Sequence, residues 1–324
     1  MDIILKISQE LMCRQEQVAA AVKLIDEGCT IPFIARYRKE ATGSLNDEQL
    51  RTLDERLTYL RGLEDRKEKV IASIEEQGML TDELKKSILA AETLVAVEDL
   101  YRPYKPKRKT RATIAQSKGL TGLANIISLQ MTNKPILEEA LAYVSEEKEV
   151  HSAEEAIAGA MDIIAESISD NAEYRTEIRS LTMDKGILMT TAKDPEAESV
   201  YEMYYDFSTP VRKMTGYRTL AINRGEKEKF LSVKIEAPVD EITGYLIRQV
   251  IVRDNPNTND ILRNTITDSY ERLIAPSIER DIRSSLTEAA EDGAIKVFGS
   301  NLKQLLMQPP INGHVVLGWD PAFR

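Results

Sequence analysis

A mainly α fold is predicted: an elongated multi-helix scaffold with a helix-turn-helix-like N-terminal unit, a small β-containing insert and a long proline-interrupted helix. Three observations carry it. Apolar residues recur every three or four positions through most of the 324 residues, which is the period of a half-buried helix. Charged residues make up 30% of the chain and aromatic residues only 6%, as in helical proteins with wide solvated faces. Strand-like alternation is confined to a short stretch, about 186–237.

The elements follow in order. Ile3, Ile4, Ile7 and Leu11 fall on one helical face over 2–12, and Val18, Ala21, Val22 and Ile25 do so over 15–27. Gly28 suits the left-handed residue that ends a helix, Thr30 suits an N-cap, and Pro32 fits a first turn. Helix, glycine turn and helix then read as a helix-turn-helix, with Ile31, Pro32 and Phe33 assigned to the core. After a loop at 41–46, a long helix over 47–77 carries Leu50, Leu53, Leu57, Leu60, Leu63, Val70, Ile71 and Ile74 on one stripe, and Gly78 ends it. Thr81 caps a short helix, and 93–101 forms another.

Tyr101 to Arg111 (YRPYKPKRKTR) interrupts the pattern, since two prolines forbid a regular helix and are expected to hold the backbone extended. Further helices are expected at 112–118, 120–130, 135–143, 153–170 and 172–184. Residues 187–191 and 231–236 read as strands, with a helix at 215–225. From 259 to 308 the spacing is helical again, and Pro276 predicts a kink or a break. His314 to Trp319 (HVVLGW) reads as a buried first strand that needs partners. The alternative is that it closes an earlier small sheet.

Composition narrows the function classes. A net charge of −10 works against general attraction to nucleic acid, so any such binding needs a local basic patch. Cys13 and Cys29 are the only cysteines and His151 and His314 the only histidines. They are not at ligand spacing, so no metal site is expected, and two free thiols suit a reducing compartment. With no membrane span and no signal peptide evident, a cytoplasmic location is expected. Neither a phosphate-binding glycine loop nor a Ser/His/Asp arrangement is evident, so no catalytic residue, cofactor or enzyme activity is expected.

The clearest candidate site is the basic loop, with Arg102, Lys105, Lys107, Arg108, Lys109 and Arg111 and no acid among them. Its cations suit phosphates, and Tyr101 and Tyr104 offer rings for stacking on bases. The alternative is a solvated loop paired to acidic helices of the same chain. Arg36, Arg38 and Lys39 form a weaker patch at the end of the second helix of the helix-turn-helix. Groove contacts there would come from the N-terminal end of that helix, so a structural or protein-contact role is favoured. Cations at a helix C-terminus also complement its dipole. The cluster from Tyr204 to Phe207 reads as core packing. Asp320, after the terminal strand, stands alone and cannot build a two-metal site.

Several blocks resemble a known family. These are TIPFIARYRKEATGSLNDEQL (30–50), EDLYRPYKPKRKTR (98–111), NRGEKE (223–228), YERLIAPSIE (270–279), AIKVFGSNLKQLLMQPP (294–310) and VLGWDPAFR (316–324). Together they are similar to the N-terminal part of Tex, the bacterial transcription accessory proteins, over essentially the whole chain. The resemblance implies a helix-turn-helix-like unit at 1–72, a central helical domain at 73–310 and, at 311–324, the first strand of a truncated YqgF-type ribonuclease-H-like domain. In such proteins helix-hairpin-helix motifs and an OB-fold RNA-binding domain follow. Trp319 and Ala322 depart from the small aliphatic residue and glycine expected beside Asp320. The implied function is a non-enzymatic RNA- or DNA-binding scaffold of the transcription machinery. Two alternatives stay open: a protein-interaction scaffold that docks a partner such as RNA polymerase, and part of a nuclease completed by further domains.

Overall fold

The computed structural model of the chain describes residues 2–106, 109–309 and 312–319. Lys107, Arg108 and Asp320 lie outside the described residues. The fold is mainly α, with one three-stranded sheet among the described residues. The chain divides into two compact units, Met1–Thr176 with Leu246–Tyr270, and Glu177–Tyr245 with Glu271–Arg324.

The first unit opens with α1 (Ile3–Glu10), α2 (Gln15–Asp26) and α3 (Ile31–Tyr37), all packed on the long α4 (Asp47–Glu76). Gly28 turns the chain between α2 and α3 with φ +83°, a conformation that costs glycine nothing. Asn46 and Gln49 start α4 with a reciprocal cap, Asn46 Oδ1 accepting from the Gln49 amide at 2.8 Å. The α4 stripe of Leu50, Leu53, Leu57, Leu60, Leu63, Val70 and Ile74 is buried, against Ile7, Val18, Ala21 and Ile34. Lys67 on the same stripe is also buried. Its ammonium is satisfied by Glu64 at 2.8 Å and the Leu89 carbonyl at 2.9 Å, as a buried charge requires.

α5 (Asp82–Ala90) and α6 (Leu94–Tyr101) return along α4. A 3₁₀ turn, Arg102–Tyr104, then leads through the loop to α7 (Arg111–Ser117), α8 (Thr121–Leu129), α9 (Ile136–Leu141) and the central α10 (Ala153–Asp170). α10 buries Ala156, Ala160, Ile164, Ala165 and Ile168 against these neighbours. Its Gly159 lets Leu120 approach to where a Cβ would stand, 2.3 Å away. α11 (Ala172–Lys185) follows, and its Arg175 reaches Asp99 of α6 at 2.8 Å. Both side chains of that pair are over nine-tenths buried.

The second unit carries β1 (Ile187–Ala192), β2 (Asp206–Pro210) and β3 (Leu231–Glu236) in the order β2-β1-β3, all antiparallel. β2 was not expected from sequence. It is an edge strand, where Pro210 at its end costs no ladder bond. Leu188 faces Ile235 across β1 and β3, and α12 (Gly216–Lys227) packs on β3. The Glu279 carboxylate accepts from the Ile235 amide at 3.1 Å and so satisfies an edge donor.

α13 (Val239–Val250), also unexpected from sequence, buries Ile242 and Leu246. α14 (Asn259–Asp268), a π turn over Ser269–Ile274 and α15 (Ala275–Leu306) then form the long helical segment. The break expected at Pro276 takes the form of that π turn. A proline clashes with the carbonyl four residues back, and the wider turn just before it removes the clash. Ser269 is fully buried there and donates to the Ala165 carbonyl at 2.7 Å.

At the end of the chain, residues 315–319 form no strand. Val315, Val316, Leu317 and Trp319 are exposed, and no described segment pairs with them. The alternative, that they close the small sheet, is not realised either, since among the described residues the sheet contains only β1 to β3.

Candidate nucleic-acid interface

The loop after α6 is built by opposing local demands. α6 ends as Pro103 enters, and the chain takes a single 3₁₀ turn rather than the extended course expected from two prolines. Extended backbone resumes only at Lys105 (φ −65°, ψ 126°). Thr110 then caps α7, its Oγ1 accepting from the Thr113 amide at 3.0 Å.

Not every expected contact residue is available. Tyr101 is 8% exposed, with its hydroxyl 2.9 Å from Ser73 Oγ and the Arg66 guanidinium over its ring. It is a core residue and offers no face to a base, which corrects the stacking role expected of it. With Val97, Tyr101 belongs to the buried face of α6, directly before the basic run. Arg102 donates to Asp170 at 3.2 Å and is only 35% exposed, so it is committed within the protein.

Lys105 differs. Its nearest carboxylate, Glu98, lies at 3.9 Å, beyond hydrogen-bond length. Glu98 is already taken by Arg66 at 2.6 Å, and that hydrogen bond raises the Arg66 pKa above its ordinary value, against burial. Lys105 is therefore open to solvent, at 60% exposure. Lys109 and Arg111 are exposed and make no ion pair among the described residues. Arg111 stands in the first turn of α7, the positive end of the helix, where a cation gains nothing from the dipole.

Beside the loop lies a cavity of about 640 Å³, lined by Tyr104, Lys105 and Pro106 on one side and by Gln116, Ser167 and Asn171 on the other. Tyr104 is half-buried against the core of α4, and its carbonyl accepts from Gln77 at 3.0 Å.

The α3 patch also departs from expectation. Ile34 is the fully buried residue of that helix, while Pro32 and Phe33 lie on the surface. Their assignment to the core is corrected: with Ile34 facing inward and Ile31 beside it, Phe33 is rotated to the solvent side. Arg36, Arg38 and Lys39 are exposed and form no ion pair among the described residues. In the second unit, Tyr204 is buried and packs edge-to-face on Phe207 at 5.5 Å, the core role expected of it. Cys13 and Cys29 are free and partly buried, and burial pushes the Cys13 thiol up. Among the described residues, no group of three or more His, Cys, Asp or Glu could hold a metal ion. No helix there is long and apolar enough to cross a membrane.

Comparison with known proteins places this geometry in a family. The Tex-like protein N-terminal domain matches residues 1–75, and the Tex central region-like family matches residues 131–298. YdcI of Bacillus subtilis is 49% identical over 98% of this chain and 45% of its own length. The transcriptional accessory protein Tex of Neisseria gonorrhoeae is 40% identical over all of this chain and 43% of its own. The human S1 RNA-binding domain-containing protein 1 is 30% identical over 94% of this chain and 32% of its own. The chain thus spans less than half the length of these relatives, and it belongs to the Tex-like family.

Proposed function

We propose that this chain is a cytoplasmic, non-enzymatic nucleic-acid-binding module of a transcription accessory factor, and that Lys105, Lys109 and Arg111 grip the phosphate backbone of RNA or DNA. The observation that carries the reading is their freedom. In a chain of net charge −10, acids are abundant, yet all three cations stay exposed: Lys109 and Arg111 make no ion pair among the described residues and Lys105 has only a loose 3.9 Å approach to Glu98, while Arg102 is held by Asp170. An ordinary solvated loop would gain by pairing them. The names of the Neisseria and human relatives, transcriptional accessory protein and S1 RNA-binding domain-containing protein, support the same direction.

The test is fluorescence anisotropy of labelled single-stranded RNA and duplex DNA across a salt series, for the wild type and a K105E/K109E/R111E variant. Each neutralised phosphate contributes about −0.7 to the slope of log affinity against log salt on a single strand. The variant is expected to bind more weakly, with a slope flatter by about 2. An unchanged slope would remove the loop from the interface.

A second reading, a scaffold that docks a protein partner such as RNA polymerase, has its own observation. Ile295, Phe298, Leu302, Leu305 and Leu306 of α15 are exposed at helical spacing, a larger run of apolar surface than single scattered residues. That reading gains if the triple variant binds nucleic acid as the wild type does.

A further inference from the structure

The geometry points to α15 as a self-association surface, on which two copies of this chain cross their α15 helices at Ser284 about a two-fold axis. The inference goes beyond the nucleic-acid reading and does not depend on it. The surface is a cleft of about 540 Å³ between α12 and α15, within the second unit. Two of the sequence blocks singled out above line it, NRGEKE through Asn223 and Glu226, and YERLIAPSIE through Pro276 and Glu279. Most of its polar groups are committed. Glu226 accepts from two nitrogens of Arg283, and Asn223 donates to Thr287 Oγ1 at 2.8 Å. These bonds lace α12 to α15 and hold the walls of the cleft. The Glu279 carboxylate is taken by the Ile235 amide. Arg280, Ser284 and Glu288 are the exceptions: all three are exposed, and their side chains make no hydrogen bond or ion pair among the described residues.

These three side chains form one ridge of α15 at four-residue steps. Arg280 and Glu288 stand about 12 Å apart along the helix axis, too far to pair with each other. Each needs an opposite charge from outside its own ridge. The matching partner carries an acid, a small polar residue and a base at the same steps, running the opposite way. The same ridge read backwards is that partner: Glu288, Ser284, Arg280. Under a two-fold axis through Ser284, Arg280 of each copy meets Glu288 of the other, and the contact is isologous. Ridges of this kind settle into each other's grooves when helices cross at about −50°. Such a crossing confines the contact to a short stretch, as short as this ridge, and the small Ser284 stands at the crossing point. A wholly acidic or wholly basic partner would instead leave one of the two charges facing its like. The net charge of −10 on each copy opposes association and keeps it weak. At physiological salt that general repulsion is screened beyond about 8 Å, whereas charges in contact are screened less.

The experiment is sedimentation velocity of the chain at physiological salt with no nucleic acid present. A small polar contact has a dissociation constant of about 10–100 µM, so a series from about 5 to 500 µM should carry the wild type from monomer to dimer. Arg280→Glu makes both ridge pairs acid against acid, and Glu288→Arg makes both base against base, because every substitution occurs twice in the dimer. Each should weaken dimerisation about tenfold or more. The double variant R280E/E288R exchanges the two ends of the ridge and should recover the wild-type dimer. The two single variants, mixed in equal amounts, should form a heterodimer, since one then carries only acids on the ridge and the other only bases. Both side chains are exposed, so the fold should persist, which circular-dichroism melts check. Recovery in the double variant and in the mixture separates lost pairing from misfolding. A wild type that stays monomeric across the series would overturn the inference. So would a dimer that Arg280→Glu leaves unchanged, or a loss that neither the double variant nor the mixture repairs.

Discussion

Glu10 and Arg56 show how single side chains hold the N-terminal unit together and make it respond to pH. Two hydrogen bonds, 2.6 and 2.7 Å, join the Arg56 guanidinium on α4 to the Glu10 carboxylate at the end of α1. That hydrogen bonding holds the Glu10 pKa below its ordinary 4.5, against a smaller opposing effect of burial and with help from the Arg56 and Lys6 charges. A depressed carboxylate pKa contributes stability that is present above the unfolded value and lost as pH falls through the folded one. Glu10→Gln should therefore lower the melting temperature at pH 7. The gap from the wild type should close as pH falls below about 4.5, which a series of melts between pH 7 and 3 would show. At this scale the sequence was least legible. Spacing alone could not tell that Tyr101 turns inward to Ser73 or that Phe33 turns outward, because a one-position rotation on a short helix separates core from surface. Nor could it tell that Glu98 prefers Arg66 to Lys105, a choice made between residues 32 positions apart.

Elements were legible wherever one signal dominated. The α4 stripe is a run of leucines at helical spacing, and its limits follow from Asn46 and Gly78, the latter at φ +68°. The misses have local causes. β2 carries the sequence DFSTP, whose terminal proline speaks against a strand unless the strand is known to lie on an edge. α13 announces itself only through Pro238 just before it, Asp240 and Glu241 in its first turn, and Ile242 with Leu246 one turn apart. That signal sits between two segments with stronger patterns. The packing of α12 on α15 was not legible at all, since it depends on the absence of a side chain. A Cβ on Gly216 would lie 3.2 Å from the Ala290 Cα, which is backbone and cannot move aside cheaply. Gly216→Leu should thus force α12 off α15 and cost about 1–3 kcal/mol, read as a drop in the urea midpoint. Replacement of Gly293, which faces open space in α15, by Ala should cost nothing and serves as the control.

At the scale of the whole molecule, the two basic surfaces lie in one compact unit, on either side of the same long helix in the chain order, within a protein of net charge −10. The general field repels a polyanion, so a strand is held only where the field is locally reversed. On the proposed reading each surface alone would supply about three phosphate contacts, enough for weak and strongly salt-dependent binding. A strand long enough to reach both surfaces gains a second contact at high effective concentration, whereas a short one must choose. Affinity should therefore rise in a step with oligonucleotide length, not in proportion to it. Reversing the loop cations Lys105, Lys109 and Arg111, or the α3 cations Arg36, Arg38 and Lys39, should each abolish the step and leave short-strand binding at the other surface intact. A length series of single strands, titrated at fixed salt against the wild type and both variants, would read this directly. A smooth rise with length in all three proteins would mean that the surfaces act independently. Such coupling would not be legible in the sequence, which marks the cations but not that Arg102 is held by Asp170 while Lys105, Lys109 and Arg111 stay exposed.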